Sequence, residues 1–425
     1  MKKIIFFIVL GLIIIGIFII PKRIYNDKFV SDEVIDNIIS KIDDDKIDRE
    51  FLLWVSNKYG SNTLLKLSNL LDSYDKKVWH ELTGNSYIVL MDMYNKLYDK
   101  SDNVTVIPGV NQGVISFVGD VSLADNFEIM PKYDSRGKGI YGILSKDVVD
   151  IMKGSQIMIL NSEFTVSNRG TKIPGKMYTF RASPERLEIY NEMGVDLVTL
   201  ANNHVYDYGS EAFSDMLASF KEYKIPYIGA GMNIDEAKKP YYFILNGYKI
   251  GFVNATRAEK TILTPEATEV SSGVFRCYDP SELVKVIKET KSNSDYVITL
   301  VHWGREDSHE LEDVQVESGK LYIDSGSDAI IGSHAHMLQG IEFYKDKPIV
   351  YNLGDFIFNS EVKDTGIFQI KLDNNGKMEY YFIPALQKEE YTDILSGSER
   401  DRVIKRMNEW SINAYIDNTG KIKST

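Results

Sequence analysis

Six histidines serve a chain of 425 residues, and four of them, His204, His302, His334 and His336, stand just past short apolar runs. Carboxylates and an amide fall in the same kind of place. Asp120 follows the run 114–118 and Gly119, Glu163 follows 156–160, and Asn203 precedes His204 after 197–200. An apolar strand that ends in such a group is costly as packing, because the polar atoms must find partners at a half-buried edge. If the strands share a sheet, their ends converge, since open α/β folds gather ligands at the carboxyl ends of strands. Imidazole, carboxylate and amide donors collected there suit one or two divalent ions. Each residue alone has a plainer role: Asp120 in a turn or helix cap, Glu163 on a surface loop, Asn202 and Asn203 in a left-handed turn. Their number favours a site. His334 and His336 form a His-x-His pair, and on an extended segment the period of two turns both rings to one side. His309, in the charged stretch 305–313, reads as a solvated loop residue, and His80 beside Trp79 as a surface or packing one.

The elements that must position these residues alternate in type. Strands are predicted at 114–118, 156–160, 197–200, 227–229, 248–253, 296–301, 329–331 and 349–352. Amphipathic stretches lie between several of them, at 184–193, 211–223 and 280–290, so residues 111–425 read as an α/β domain. A hairpin is expected around Asp373-Asn374-Asn375-Gly376, and a helix near 398–410. Residues 24–110 read differently. Val34, Ile35, Ile38, Ile39 and Ile42 form a helical stripe after Ser31; Leu64, Leu65, Leu67, Leu70 and Leu71 follow Asn62; a third run covers 87–98. This part is expected to be a helical stalk or accessory domain without a chemical constellation.

Residues 4–20 carry no charge and no strongly polar group, with Lys2 and Lys3 before them and Pro21, Lys22 and Arg23 after. As a helix this stretch spans about 26 Å, short but sufficient for a membrane span. The cleaved-signal alternative lacks a small-x-small site, so 1–23 is expected to be an uncleaved single-pass anchor at the cell membrane, with the body extracytoplasmic. Cys277 is the only cysteine, which excludes an intrachain disulfide, a thiolate metal cluster and an iron–sulfur site. Lys and Arg number 49 against 61 Asp and Glu, a net charge of −12, which argues against a non-specific nucleic-acid binder. A 44% apolar fraction with 12% aromatics excludes global disorder.

An ordered set of motifs runs through the chain: Gly119-Asp120-Val121-Ser122-Leu123, Asn161-Ser162-Glu163, Leu200-Ala201-Asn202-Asn203-His204 with Asp207 and Gly209, and His302-Trp303-Gly304-x-Glu306. Gly332-Ser333-His334-Ala335-His336 and Tyr351-Asn352-Leu353-Gly354-Asp355-Phe356 complete it. Together with the stretch 227–233, the set resembles the bacterial capsule-synthesis CapA/PgsA family, associated with poly-gamma-glutamate synthesis and export. The resemblance covers about 113–390 and implies a calcineurin-like metallophosphoesterase fold, a four-layer α/β/β/α sandwich with two mixed sheets. It further implies Asp120, Glu163 and His336 as ligands of a first metal, and Glu163, Asn203, His302 and His334 as ligands of a second. The ions would be Mn, Zn or Fe. In two places the chain departs from the parent superfamily. Ser122 stands where its Asp-x-His motif has histidine, and Ser162-Glu163 where it has Gly-Asp. The family often has Gly-Asn-Phe where this chain has Gly354-Asp355-Phe356, an Asp that either adds a ligand or is a loop charge.

On this reading His204 donates a hydrogen bond or proton to developing charge, with Asp207 beside it, and Arg257 and Arg305 hold an anionic substrate. Three functions compete. One is an anchored metal-dependent hydrolase or transferase acting on a phosphoester or anionic polymer in capsule assembly. Another is a non-catalytic scaffold or polymer-binding subunit of a membrane synthesis complex. The last is a free-standing nucleotidase or phosphodiesterase. Expected partners are an anionic surface polymer or its precursor, the membrane, and subunits of the synthesis complex.

Overall fold

The computed structural model describes residues 30–97, 103–258 and 263–425. The expected anchor at 1–23 lies outside them, and no helix among the described residues is long and apolar enough to cross a membrane. The described residues divide into two compact units, the first ending at residue 74 and the second beginning at residue 75. In the first, the helices Asp32–Lys41, Arg49–Tyr59 and Ser61–Ser68 each bury one face, through Ile35 and Ile38, Phe51, Leu52 and Val55, and Leu64 and Leu67. Ile39 from the expected stripe is exposed.

The second unit begins well before residue 111. His80 is a packing residue, as its sequence context suggests: its ring stacks on Tyr248 at 4.2 Å and its Nε2 pairs with the Asn246 carbonyl at 2.8 Å. Lys249 makes a buried 2.6 Å ion pair with Asp92, and Ser86 donates to Asp295. Residues 75–97 therefore group with the sandwich, because their polar contacts close on its strands.

Two mixed sheets form the body. The first has seven strands in the order Val104–Val106, Tyr241–Leu245, Tyr248–Thr256, Tyr296–Trp303, Ala329–His334, Lys347–Val350, Ile341–Tyr344. The second runs Ala414–Ile416, Lys421–Ser424, Met378–Lys388, Lys363–Asp373, Gln112–Val121, Ile157–Ser162, Leu197–Thr199, Tyr227–Ile228. The short strand Asp355–Ile357, which the sequence pattern does not reveal, adds in parallel to Gln112–Val121. The expected hairpin forms, with Leu372 opposite Met378, and the expected late helix spans Gly397–Trp410.

Alternation along the strands builds the layers. Phe117, Ile157 and Ile159 of one sheet meet Phe252, Ile298 and Phe243 of the other in a central core. Their neighbours Val118, Met158 and Leu160 face the opposite way, onto Val148, Met152, Phe213 and Met216 of helices. Across the molecule, Val253, Val297 and Ile330 pack on Leu283, Ile287 and Tyr322. Strands buried on both faces read as continuous apolar runs, which is why so many were visible in the sequence. The result is a four-layer α/β/β/α sandwich.

Glycine is required at position 119. A Cβ there would lie 1.8 Å from the Gly354 carbonyl oxygen, the same oxygen that accepts from the Asp120 amide at 2.9 Å. This close approach joins Gln112–Val121 to the segment entering Asp355–Ile357. Gly119→Ala is expected to cost about 3 kcal/mol or more in denaturant unfolding, by pushing the two segments apart. A variant as stable as wild type would show that the approach is not needed.

Candidate metal centre

Both sheets deliver polar ends to one place. Asp120 closes its strand, Glu163 follows Ile157–Ser162, Asn203 and His204 lie past Leu197–Thr199, and His302 and His334 lie at the ends of neighbouring parallel strands. Asp120, Glu163, His302 and Asp355 are fully buried, and Asn203, His204 and His334 nearly so.

Two donor groups result. Glu163, His302 and His334 offer ligand atoms within 4.8 Å of one another, and so do Asp120, His336 and Asp355. In the first group the Glu163 Oε1 is 3.5 Å from His302 Nε2, and Asn203 Oδ1 lies 2.7 Å from that nitrogen. In the second, His336 Nδ1 is 2.7 Å from Asp355 Oδ1 and 3.5 Å from Asp120 Oδ2. Glu163 Oε1 is also 3.9 Å from His336 Nε2, so this oxygen sits between the groups. Asn161 fixes the carboxylates from behind, donating to Asp120 at 2.8 Å and to Glu163 at 3.1 Å. The Ser333 hydroxyl meets His302 Nδ1 at 2.9 Å, which leaves Nε2 for the site.

The His334–His336 pair is not extended, contrary to the sequence expectation. Both residues have left-handed backbone, φ 96° and 56°, and their rings are 6.2 Å apart. The turn sends one ring to each donor group, a conformation rare enough in non-glycine residues to mark a functional constraint.

Electrostatics fit a cation. Burial pushes Asp120 up to about 7, with the Glu163 charge adding to the rise, and burial pushes Glu163 up to about 7 as well. Burial takes His302 down to about 3 and His334 well below its usual range, so both rings keep free lone pairs. For His336 burial works downward, but the carboxylates of Asp355 and Glu163 outweigh it and hold it well above. Glu163 Oε1 and His334 Nδ1 are buried without a hydrogen-bond partner. Buried orphan donors of this kind are costly unless something else engages them. Oxygen and imidazole atoms are a donor set for a divalent ion of the Mn, Fe or Zn kind.

Asp207 organises the flank. Its Oδ2 is 2.8 Å from His204 Nδ1 and accepts from the Phe180 amide at 2.7 Å; its Oδ1 pairs with Lys176 Nζ at 2.7 Å. The Lys176 ammonium is 4% exposed and also donates to the Asn203 carbonyl. On the other flank Lys363 Nζ lies 3.1 Å from Asp355 Oδ2. Four buried carboxylates, Asp120, Glu163, Asp207 and Asp355, thus stand with two lysines, an excess of acidic groups over ammonium groups. Phe180 against His204 at 4.4 Å and Phe358 against His336 at 4.6 Å form an apolar wall.

The structure brings together Asp120, Glu163, Asn203, His204, Asp207, His302, His334 and His336. The guanidinium groups of Arg257 and Arg305 point elsewhere, although the Arg257 amide donates to the His302 carbonyl at 2.8 Å. Arg257 donates to the Tyr278 carbonyl and lies over that ring at 4.7 Å, and Arg305 points to Ser308 and Glu310 with its side chain 64% exposed. The buried cations beside the site are instead Lys176 and Lys363, whose sequence neighbourhoods read as solvated. His309 is likewise not a solvated residue: it stacks on Trp410 at 4.2 Å and its Nδ1 meets the Leu338 carbonyl at 2.7 Å. Ser122 Oγ, at the position of the absent histidine, is buried without a partner.

The family model described as bacterial capsule synthesis protein PGA_cap matches residues 114–360. The chain is 28% identical to the capsule biosynthesis protein CapA of Bacillus anthracis over 305 residues, 69% of this chain and 72% of that protein. It is 29% identical to the PGA biosynthesis protein CapA of Bacillus subtilis over 274 residues, 63% of this chain and 70% of that one. Among solved structures it is similar to a 5'-nucleotidase from Candida albicans, at 10% identity and a TM-score of 0.34, over 66% of this chain and 52% of that one.

Proposed function

Since the chain belongs to the bacterial capsule synthesis protein family PGA_cap, we propose that it serves capsule or poly-gamma-glutamate synthesis or export as a metal-dependent hydrolase or transferase. The observation that carries the chemistry is the orphaned Glu163 Oε1, buried between two groups of histidine and carboxylate donors. Glu163, Asn203, His302 and His334 would hold one divalent ion, and Asp120, His336 and Asp355 a second. Ions held there supply, when bound, polarisation of a substrate oxygen and a water acidified towards neutrality. The residues of the chain do the rest. Asp207 accepts from His204 Nδ1, which fixes the tautomer and leaves Nε2 to hold or give a proton at the leaving group. Lys176 holds Asp207 in place through its ion pair, and the Phe180–Phe358 wall keeps water from that side. The substrate is a phosphoester or an amide of an anionic polymer. Residues 1–23 hold the protein at the cell membrane with its body extracytoplasmic, beside subunits of a synthesis complex.

Metal content tests the site. Wild type supplied with Mn, Zn and Fe is expected to hold about two equivalents, and His334→Ala/His336→Ala fewer than about one. Equal metal in two folded proteins would leave the scaffold reading, which Ser122 at the usual histidine position favours.

A further inference from the structure

Lys363 is the least expected neighbour of the donor groups. Its side chain is 9% exposed, and its ammonium touches three carboxylates: Asp355 at 3.1 Å, Glu361 at 2.9 Å and Asp307 at 3.3 Å. Asp355 is fully buried and belongs to the group with Asp120 and His336; Glu361 and Asp307 stand at the surface, 63% and 74% exposed. One cation thus bridges a candidate metal ligand to two rim acids. The other donor group, Glu163, His302 and His334, has no lysine within ion-pair distance among the described residues, and its Glu163 Oε1 and His334 Nδ1 are unpartnered.

We infer that Lys363 is a built-in counter-ion of Asp355 that makes the two metal positions unequal, the one at Asp120, His336 and Asp355 being the weaker and exchangeable one. This rests on the metal-dependent reading above. The physical reasons are two. An ammonium on Asp355 Oδ2 draws charge from the ligand that must neutralise the ion, and it repels a divalent cation a few ångströms away. Lys363 also has somewhere to go, since Glu361 and Asp307 keep it paired when it leaves Asp355. Filling the weaker position therefore displaces one cation by another, and its occupancy follows the free metal concentration. At the other position no lysine pairs with a ligand carboxylate: the nearby Lys176 ammonium is held by Asp207 and the Asn203 carbonyl.

The test is titration of the metal-stripped full chain with manganese chloride, followed by calorimetry and by electron paramagnetic resonance, which distinguishes coupled from isolated Mn(II). Wild type is expected to show one tight and one weaker position. Lys363→Met is expected to tighten the weaker one by about 10-fold or more, leaving the tight one within about 2-fold. Asp355→Asn is expected to remove the weaker one alone, with the coupled signal lost and the isolated signal kept. Thermal melts establish that both variants are folded. Lys363→Gln, which keeps a polar group beside Asp355, serves in place of Lys363→Met if that variant does not fold. Unchanged or weaker manganese binding in the Lys363 variant would overturn the inference, the latter by making the lysine a support for Asp355. Two wild-type positions of equal affinity would overturn it while leaving the metal reading intact. No manganese at either position would overturn both.

Discussion

Replacing His204 with Ala is expected to lower turnover by about 10²–10⁴-fold while bound metal stays at the wild-type level. The expectation follows from how the ring is held. Its Nδ1 faces Asp207 at 2.8 Å, its amide donates to Asn202 at 3.0 Å, and its carbonyl accepts from Thr165 at 2.9 Å. The backbone is pinned without the imidazole, so the loop carrying Asn203 should survive the change. His204 belongs to neither donor group, which separates its effect from metal loss. Asp207→Asn should move turnover the same way, because an amide offers Nδ1 an ambiguous partner and leaves Lys176 without its countercharge. Both variants need the same substrate screen, of phosphoesters and gamma-glutamyl amides. A His204→Ala protein that turns over at the wild-type rate would remove this residue from the chemistry.

Glu163→Gln should have the largest effect on metal, because the residue stands between both donor groups. Bound metal is expected to fall to about one equivalent or less, with turnover falling alongside it. The same change should stabilise the metal-stripped protein at neutral pH. The Glu163 carboxyl, raised from 4.5 to about 7 by burial, contributes its full stability below about pH 4.5 and loses it as the pH rises through about 7. Glutamine carries no such loss. The stability of Glu163→Gln relative to wild type, both metal-stripped, should thus grow by about 3 kcal/mol between about pH 4.5 and about pH 7. The difference between the proteins is what must be measured. His302 and His334, held below their ordinary value, gain stability with rising pH over much of that window and partly mask the trend in either protein alone. A difference that does not change with pH, or full metal retention by the variant, would remove Glu163 from the centre.

Much of this centre was legible because it is built on strand ends. Asp120, His302 and His334 end apolar runs, and parallel pairing in register, such as Trp303 beside His334, brings those ends together. The four-layer architecture was readable mainly through the family's motif order, supported by strands apolar on both faces. What stayed hidden depends on partners remote in sequence. Lys363 lies in a polar stretch, and only the fold reveals that Asp355 and a covering layer await it. Arg257 and Arg305 looked like anion holders because arginine after a strand often is one, yet Tyr278 and Glu310 engage them elsewhere. His309 sits among charges in the sequence but under Trp410, 101 residues on, in space. The His-x-His spacing was visible, whereas its left-handed turn was not, since neither residue type demands one.

The hydrogen bond from the His334 amide to Asp120 crosses 214 residues of chain. Asp355 reaches Asp120 only when its short strand has docked beside Gln112–Val121. No local segment therefore carries enough donors to capture an ion as the chain emerges. The centre is complete only once these distant pairings have closed, and non-local closure is slow. A metal bound afterwards adds its binding free energy to the finished fold.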